Sequence, residues 1–214
     1  MSLKKILLER VLPEHTPMYK KINTFLEDEG YDVEYLTRGT TAYIFQVKDK
    51  KKAIRLSYDP DDIEIYEAVE GQNFDNVVEV YYTKVFGVDS IISVQELLSN
   101  IPRELFTYLD DASFVFHSMI TDEIKDDVYT LENLYKAYTE HSQYGKKHSP
   151  DHIKTVKNLI FNHPQNIYLK QILNGINELM SIGYLWGDRH AGNFMYDRQT
   201  DQIKIIDLGD YRKI

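Results

Sequence analysis

The sequence contains no cysteine among its 214 residues. This absence excludes disulfide bonds, catalysis by a thiolate and zinc bound by cysteine, but it does not define a compartment. Internal repeats and low-complexity tracts are missing as well, so a repeat architecture is not expected. With 43% hydrophobic residues, the chain can build an ordinary core, as one domain or as two small lobes.

Long basic runs and long apolar runs are also missing. The chain carries 34 acidic against 25 basic residues, a net charge of −9, which disfavours binding to nucleic acid or to an anionic membrane. No stretch approaches the length of a membrane span, and the start MSLKKILLERVLPE lacks the apolar core and cleavage site of a signal peptide. We therefore expect a cytoplasmic chain without nucleic-acid or membrane partners.

The first half of the sequence predicts a mostly antiparallel sheet with one inserted helix. Asp59 followed by Pro60 is typical of a helix start and Gly71 of a helix end, so a helix is expected at 60–70. Gly30 is expected to end an earlier helix in a left-handed conformation. Further helices are predicted at 2–12 and 17–29, and strands at 31–36, 42–47, 52–56, 77–86 and 90–95.

The second half predicts helices and one hairpin. The clearest helix is 165–182, whose apolar residues recur at i, i+3, i+4 and i+7. The loop WGDRHAGNFMYD, residues 186–197, is expected to leave this helix directly and to enter the hairpin. The other predicted helices are 102–109, 127–140 and 150–161, and the hairpin strands are 194–196 and 203–206.

Three polar side chains are expected to converge around that loop. Asp188 and Asn193 lie in the loop itself, and the hairpin returns Asp207 beside them. Mg²⁺ prefers oxygen ligands and uses one or two protein groups together with substrate phosphates, so Asn193 and Asp207 can serve as its protein ligands. Asp188 then remains to accept a proton from a hydroxyl that attacks phosphorus.

These residues carry a resemblance to a known family. GDRHAGN, with the aspartate of DLG fourteen residues after its asparagine, resembles the catalytic loop and D-F-G element of the protein-kinase-like superfamily. The form D-x-H-x-G-N is closest to aminoglycoside phosphotransferases and choline kinases, and the short end after DLG resembles minimal bacterial effector kinases. The resemblance covers about residues 32–210. It implies that Asp188 is the catalytic base and that Asn193 and Asp207 bind Mg²⁺.

The resemblance also implies nucleotide contacts upstream. RGTTAYIFQV resembles the glycine-rich turn that covers nucleotide phosphates. The resemblance implies that the backbone at Gly39 approaches the phosphates closely and that the Thr40 or Thr41 hydroxyl completes the phosphate-binding turn. The other interpretation of Gly39 is a plain hairpin turn. VQELL resembles the hinge, where backbone groups from Glu96 to Leu98 bind an adenine ring.

KKAIRLS resembles the third strand, in which the family places a lysine that grips phosphate. Here the position is filled by Arg55, and helix 60–70 is expected to supply an acidic partner, with Glu64 favoured over Glu67. Arginine keeps the charge but has a larger, planar fork, so the replacement is not conservative. The other interpretation is an ordinary exposed ion pair between Arg55 and Glu64.

Other polar residues have less specific interpretations. His190 is expected to steady the loop rather than to act as a base, because Asp188 already holds that role. Asp61 and Asp62 are expected to mark a helix start or a solvated face. A zinc site is disfavoured for four histidines because no general-base glutamate lies between the two with i, i+4 spacing; these are His141, His148, His152 and His163.

The sequence therefore predicts an α+β, two-lobed, protein-kinase-like fold. Residues 1–98 are expected to form a sheet lobe, and residues 99–214 a shortened helical lobe with the catalytic-loop hairpin. The predicted function is transfer of phosphate from ATP, with Mg²⁺, to a hydroxyl of a small molecule or a protein. The alternative is a pseudokinase with weak or lost catalysis that binds a nucleotide or a protein.

Overall fold

The structure is a computed structural model that describes residues 24–39, 41–48, 50–117, 128–140 and 149–214. The chain divides into two compact units. The first contains the described residues through Asn73 together with Glu79–Leu97, and the second contains Phe74–Val78 and Leu98–Ile214. The predicted helix 2–12, the first part of helix 17–29, Thr40, His141 and His148 lie outside the described residues.

The first unit is built on a five-stranded antiparallel sheet, which confirms the predicted α+β class. The strand order is β1-β2-β3-β5-β4. β3 therefore lies at the centre, paired with β2 on one side and β5 on the other. The strands are β1 (Val33–Arg38), β2 (Ala42–Val47), β3 (Lys52–Ser57), β4 (Val80–Val85) and β5 (Ile91–Glu96).

One face of this sheet buries its apolar residues against the helical turn 24–28. Phe25 and Leu26 of that turn join a core cluster with residues from β1, β2, β3 and β5. The turn ends at Gly30, whose φ is 68° and whose N–H donates to the Glu27 carbonyl at 3.1 Å. The predicted left-handed helix end at Gly30 is thus confirmed.

Helix α1 (Pro60–Val69) begins and ends where the sequence predicts. The Asp59 side chain accepts a hydrogen bond from the Asp61 N–H at 3.1 Å, and Gly71 follows the helix with φ 71°. Asp62 is 1% exposed, so the interpretation of Asp62 as a solvated face is wrong. The helix packs beside β4 and β5.

The second unit is mostly helical. Its longest helix, α5, is buried along Leu169, Ile172, Leu173, Ile176 and Leu179, as the apolar spacing predicts. The helices are α2 (Arg103–His117), α3 (Leu131–Glu140), α4 (Pro150–Lys157), a π-helical turn (Asn158–Asn162) and α5 (Asn166–Ser181). α2 runs beyond the expected 102–109 because its apolar stripe continues through Ala112 and Val115. Among the described residues, no helix is long and apolar enough to cross a membrane.

Two short antiparallel pairs complete the second unit. β6 (Tyr184–Trp186) pairs with β9 (Tyr211–Lys213), and β7 (Phe194–Asp197) pairs with β8 (Gln202–Ile205). The expectation that helix 165–182 leads directly into the loop is wrong, because β6 stands between them. Gly183, with φ 90°, turns the chain from α5 into this strand.

The segment Phe74–Val78 belongs to the second unit because α5 and β8 hold it. The Glu178 carboxylate accepts the N–H groups of Asp75 and Asn76 at 2.9 and 3.0 Å, and the Asn76 side chain donates to the Ile203 carbonyl at 3.0 Å. Burial raises the pKa of Glu178, and the two backbone hydrogen bonds oppose that shift. Helix α5 is thus the platform for both this segment and the hairpin β7–β8.

The close approach of Asn76 to helix α5 can be tested at Gly175. A Cβ atom at position 175 would lie 2.6 Å from the Asn76 carbonyl oxygen and 3.0 Å from Ile205 Cδ1. Glycine to alanine normally stabilises a helix interior by up to about 1 kcal/mol. Here we expect Gly175→Ala to destabilise by about 1–3 kcal/mol, because the obstacle is backbone.

Urea unfolding of the parent and Gly175→Ala measures this difference. Asn174→Ala, an exposed site on the same helix, is the control and should stay within about 0.5 kcal/mol of the parent. Equal or greater stability of Gly175→Ala would contradict the close approach of Asn76 to α5.

Candidate functional site

The loop between β6 and β7 is shaped by two glycines and a histidine. The Gly187 N–H donates to the Asp210 carbonyl at 2.7 Å, and a Cβ atom on Gly187 would lie 2.9 Å from Asp210 Oδ2. Residues Ala191–Asn193 form a 3₁₀ turn, which His190 caps by accepting the Gly192 N–H on its Nδ1 at 3.0 Å. The prediction that His190 steadies the loop is confirmed by this bond.

Asn193 links the loop to the strand that leads to Asp207. Its side-chain nitrogen donates to the Asp188 carbonyl at 2.9 Å, and its own carbonyl accepts the Ile206 N–H at 3.0 Å. Asp207 follows immediately, and its carbonyl accepts the Trp186 indole N–H at 2.7 Å. The structure thus ties together the three residues that the sequence singled out.

The three side chains differ in their access to solvent. The Asp188 side chain is 43% exposed, so its carboxylate can meet a molecule from outside. Asn193 is buried, and its amide nitrogen is used by the bond to the Asp188 carbonyl. Asp207 is half-buried. An exposed carboxylate is chemically suited to accept a proton, and amide and carboxylate oxygens are the donor types that a hard cation prefers.

A magnesium ion fits this donor set only if phosphates complete its coordination. Within the described ranges, no group of three or more histidine or acidic side chains is gathered closely enough to hold a metal by itself. Asn193 and Asp207 offer one neutral and one anionic oxygen donor, the hard ligands that Mg²⁺ accepts together with phosphate oxygens and water.

Of the four histidines weighed for zinc, His152 contacts the ring of Tyr138 and His163 contacts the ring of Tyr108.

Arg189 holds the loop from inside the second unit and was not singled out from the sequence. It is 0% exposed, its Nε donates to the Trp186 carbonyl at 2.9 Å, and its Cζ lies 5.5 Å from the Tyr129 ring centroid. Burial lowers its pKa, while Tyr129 favours the charged form. Neither Nη atom makes a hydrogen bond of normal geometry to any residue that the structure describes. The Asp188 side chain is partly exposed and that of the next residue, Arg189, is buried. This alternation fixes which side of the loop faces solvent.

The hairpin β7–β8 is attached to α5 at its turn. Asp201, with φ 56°, accepts hydrogen bonds from the hydroxyls of Tyr168 at 2.9 Å and Tyr196 at 2.5 Å. These bonds lower the pKa of Asp201 and raise the pKa of Tyr196 to about 12. Gln171 accepts the Ile203 N–H at 2.8 Å. Strand β8, which leads to Asp207, is therefore held by β7 on one side and by α5 on the other.

In the first unit, Arg55 forms a buried ion pair with Asp62. Its Nη1 lies 2.6 Å from Asp62 Oδ2, and the two side chains are 5% and 1% exposed. The Ser57 hydroxyl donates to the same carboxylate oxygen, and the Arg55 Cζ lies 4.7 Å from the Tyr66 ring centroid. The interpretation of Arg55 as half of an exposed pair is wrong.

Helix α1 does supply an acidic partner for Arg55, as expected, and Asp62 is one that the sequence interpretation did not name. Glu64, the favoured candidate, lies half-buried on α1, and Glu67 is exposed. The sequence held the signal: Ile65, Tyr66 and Val69 follow Asp62 at i+3, i+4 and i+7, so the four share one face of the helix. That face is the buried one.

The predicted phosphate turn is the hairpin between β1 and β2. The Gly39 N–H donates to the Ala42 carbonyl at 2.8 Å, and a Cβ atom on Gly39 would lie 3.9 Å from the same carbonyl oxygen. The Thr41 carbonyl accepts the Tyr58 N–H at 3.0 Å. Gly39 thus serves the hairpin through its N–H, and apart from its chain neighbours no other atom of the described residues comes within 4 Å of a Cβ placed there.

The predicted hinge follows β5. The Glu96 N–H donates to the Glu79 carbonyl at 3.0 Å, and the Leu97 N–H donates to the Lys51 carbonyl at 3.1 Å. The Leu98 N–H makes no hydrogen bond to any of the described residues. Of these three residues, Glu96 and Leu97 use their backbone N–H groups within the described part of the chain.

Comparison with known proteins adds no family to these observations. No protein-family model matches the chain, and no curated protein is significantly similar to it.

Proposed function

We propose that the chain is an ATP- and Mg²⁺-dependent phosphotransferase with a protein-kinase-like fold. The observation that carries the proposal is the pair of hydrogen bonds made by Asn193, to the Asp188 carbonyl and from the Ile206 N–H. They tie Asn193 to the backbone of Asp188 on one side and to the backbone of Ile206, the residue before Asp207, on the other. The same three residues carry the motif resemblance, so geometry and sequence favour one chemistry.

Each residue then has a distinct role. The acceptor hydroxyl oxygen attacks the γ-phosphorus, the bond from that phosphorus to the β–γ bridging oxygen breaks, and ADP leaves. The Asp188 carboxylate orients the hydroxyl and takes its proton. Asn193 and Asp207 would hold Mg²⁺, which neutralises charge on the phosphate oxygens. The acceptor hydroxyl belongs to a small molecule or to a protein.

The first unit supports the same assignment. An ion pair between a cation on the third strand and a carboxylate on the following helix is the arrangement that the resemblance implies, and Arg55 with Asp62 provides it. Under this proposal, the nucleotide contacts fall on Gly39, Thr40 and Thr41 of the turn, on Arg55 and Glu64, and on Glu96 and Leu98 after β5. The Leu98 N–H is the donor we assign to the adenine ring.

A second candidate function has one specific observation in its favour. Arg55 is 4% exposed and its guanidinium is engaged by Asp62 and Tyr66, so it is poorly placed to grip phosphate as the family lysine does. A chain that lacks this grip fits a pseudokinase that binds a nucleotide or a protein. The phosphotransferase predicts turnover of ATP, and the pseudokinase predicts binding with weak or no turnover.

Nucleotide binding is tested by thermal unfolding with Mg-ATP. A ligand at about 100 times its dissociation constant adds roughly 2.7 kcal/mol of stability, so we expect the melting temperature to rise by several degrees. Asp207→Asn should lose most of the Mg²⁺-dependent part of this rise, because the aspartate contributes the anionic metal ligand.

The control is Asp111→Asn, which removes one exposed carboxylate from α2 and should keep the full rise. Absence of any shift with ATP, ADP or GTP, with and without Mg²⁺, would reject the nucleotide site. An equal shift in the parent and in Asp207→Asn would reject the metal role of Asp207.

A further inference from the structure

The imidazole of His190 lies between a backbone donor and the Asp188 carboxylate. Its Nδ1 accepts the Gly192 N–H at 3.0 Å, and its Nε2 lies 3.3 Å from Asp188 Oδ2. The side chains of His190 and Asp188 are 53% and 43% exposed. Both ring nitrogens therefore have defined neighbours although the ring itself is on the surface.

The bond to Nδ1 assigns the tautomer of the neutral ring. A nitrogen that accepts a hydrogen bond presents its lone pair, so the ring proton must be on Nε2. The Nε2–H group then faces Asp188 Oδ2. The separation of 3.3 Å is slightly long for a hydrogen bond, and bonds of this kind commonly shorten when a substrate completes the site.

Gly192 leaves the space that this ring position needs. A Cβ atom on Gly192 would lie 2.8 Å from His190 Cε1 and 2.9 Å from His190 Nδ1. The φ of Gly192 is outside the left-handed region, so the backbone itself accepts any residue. Glycine at position 192 therefore leaves room for the His190 imidazole, which folds back over the turn.

We propose that His190 is a positioning residue that holds the Asp188 carboxylate for proton transfer, and that Gly192 keeps the imidazole in place. This inference rests on the proposed phosphotransferase function. The Nε2–H group fixes Asp188 Oδ2, so that Oδ1 remains for the acceptor hydroxyl. His190 itself takes no proton from the substrate.

Two substitutions separate positioning from capping. The amide oxygen of asparagine can occupy the place of the imidazole Nδ1, so His190→Asn keeps the cap on the Gly192 N–H and loses the donor to Asp188. The longer glutamine places its amide nitrogen near the former Nε2, so His190→Gln keeps the donor and loses the cap. A pure capping role predicts that asparagine preserves function, whereas positioning predicts that glutamine does.

The measurement is ADP release with saturating Mg-ATP and an acceptor that the parent uses. We expect His190→Asn to lower kcat by about 10²-fold, as misplacement by about 1 Å does, with little change in KM for ATP. His190→Gln should recover most of that loss. Equal kcat in the parent and His190→Asn, or a lower kcat in His190→Gln than in His190→Asn, overturns the inference.

Gly192→Ala provides an independent test that changes no functional side chain. The added methyl displaces the imidazole, which is a movable side chain, so the fold should lose no more stability than removal of the His190 cap costs, while kcat falls as in His190→Asn. In a double-mutant cycle, Gly192→Ala should cost nothing further once His190→Ala is present. An additive loss would show that Gly192 acts without His190.

A measurement without turnover keeps this inference separate from the proposed function. The ¹⁵N spectrum of the imidazoles should show His190 with a protonated Nε2 and an unprotonated Nδ1 in the parent, and Gly192→Ala should change this signal. If the parent binds Mg-ATP but releases no ADP with any acceptor, the phosphotransferase proposal fails and the positioning role fails with it. If the parent releases ADP and His190 shows the opposite tautomer, the positioning role alone fails.

Discussion

Replacing Arg55 with alanine is expected to destabilise the protein by about 3–5 kcal/mol, because the change leaves the Asp62 carboxylate buried without its cation. Asp62 is 1% exposed, and Arg55 Nη1 is 2.6 Å from it. The Ser57 hydroxyl alone cannot compensate a full negative charge in a site closed to water. For a chain of this length, the loss corresponds to a fall of roughly 6 to 20 °C in melting temperature.

Thermal and urea unfolding of Arg55→Ala measure this effect, and an exposed pair provides the matched control. Lys48 Nζ lies 2.9 Å from Asp32 Oδ1, with side chains 47% and 74% exposed, so Lys48→Ala should cost about 0–1 kcal/mol. If Arg55→Ala costs no more than Lys48→Ala, the buried pair does not exist in solution.

Substitution of both partners distinguishes the charge from the packing. Arg55→Met combined with Asp62→Leu removes both ions and replaces them with apolar groups, which is neutral or stabilising in other buried pairs. We expect the double variant to be far more stable than Arg55→Ala. If the double variant nevertheless binds Mg-ATP like the parent, Arg55 has no role in gripping phosphate.

Asp188→Asn is expected to lower phosphoryl transfer by about 10² to 10⁴-fold while nucleotide affinity stays near that of the parent. The asparagine is nearly isosteric, so the loop bond from Asn193 to the backbone carbonyl at 188 can persist. It lacks the anionic oxygen that takes the proton from the attacking hydroxyl. The loss therefore appears in the rate and not in the ground-state complex.

The measurement is ADP release from the parent and Asp188→Asn, first alone and then with candidate hydroxyl compounds and a cell lysate as acceptors. Thermal shifts with Mg-ATP run in parallel to confirm that both proteins hold the nucleotide. If the parent binds Mg-ATP but releases no more ADP than Asp188→Asn with any acceptor, the enzyme interpretation is abandoned and the binding-module interpretation gains.

Features with local causes were predictable from the sequence. The caps of α1 follow from Asp59 and Pro60, and Gly30 and Gly183 turn the chain in the left-handed conformation that favours glycine. The apolar spacing of 165–182 gave α5 within one residue at each end. Strands β2 and β3 were predictable in the same way, because alternation and turn residues act within a few positions.

The loop residues were also predictable as a group. Asp188, Asn193 and Asp207 lie on a loop and hairpin close in the chain, so a short-range pattern already indicates that they approach each other. What the sequence did not indicate is how they are held. Arg189 turns inside the second unit onto Tyr129, whose backbone is bonded to the Asn177 side chain at 2.8 and 2.9 Å.

Pairing between distant segments was decided by the tertiary structure. β6 is three residues long, too short for a period to be visible, and it exists because β9 supplies its hydrogen-bond partners. The pairing of Asp62 with Arg55 was settled in the same way, because the apolar positions of α1 mark its buried face but not the residue that this face meets. Local propensity and spacing are properties of neighbouring residues, whereas a strand partner or a buried counter-ion is selected only when packing brings remote parts of the chain together. The sequence by itself therefore determined most elements and the identity of the candidate site, and the tertiary contacts determined its internal supports.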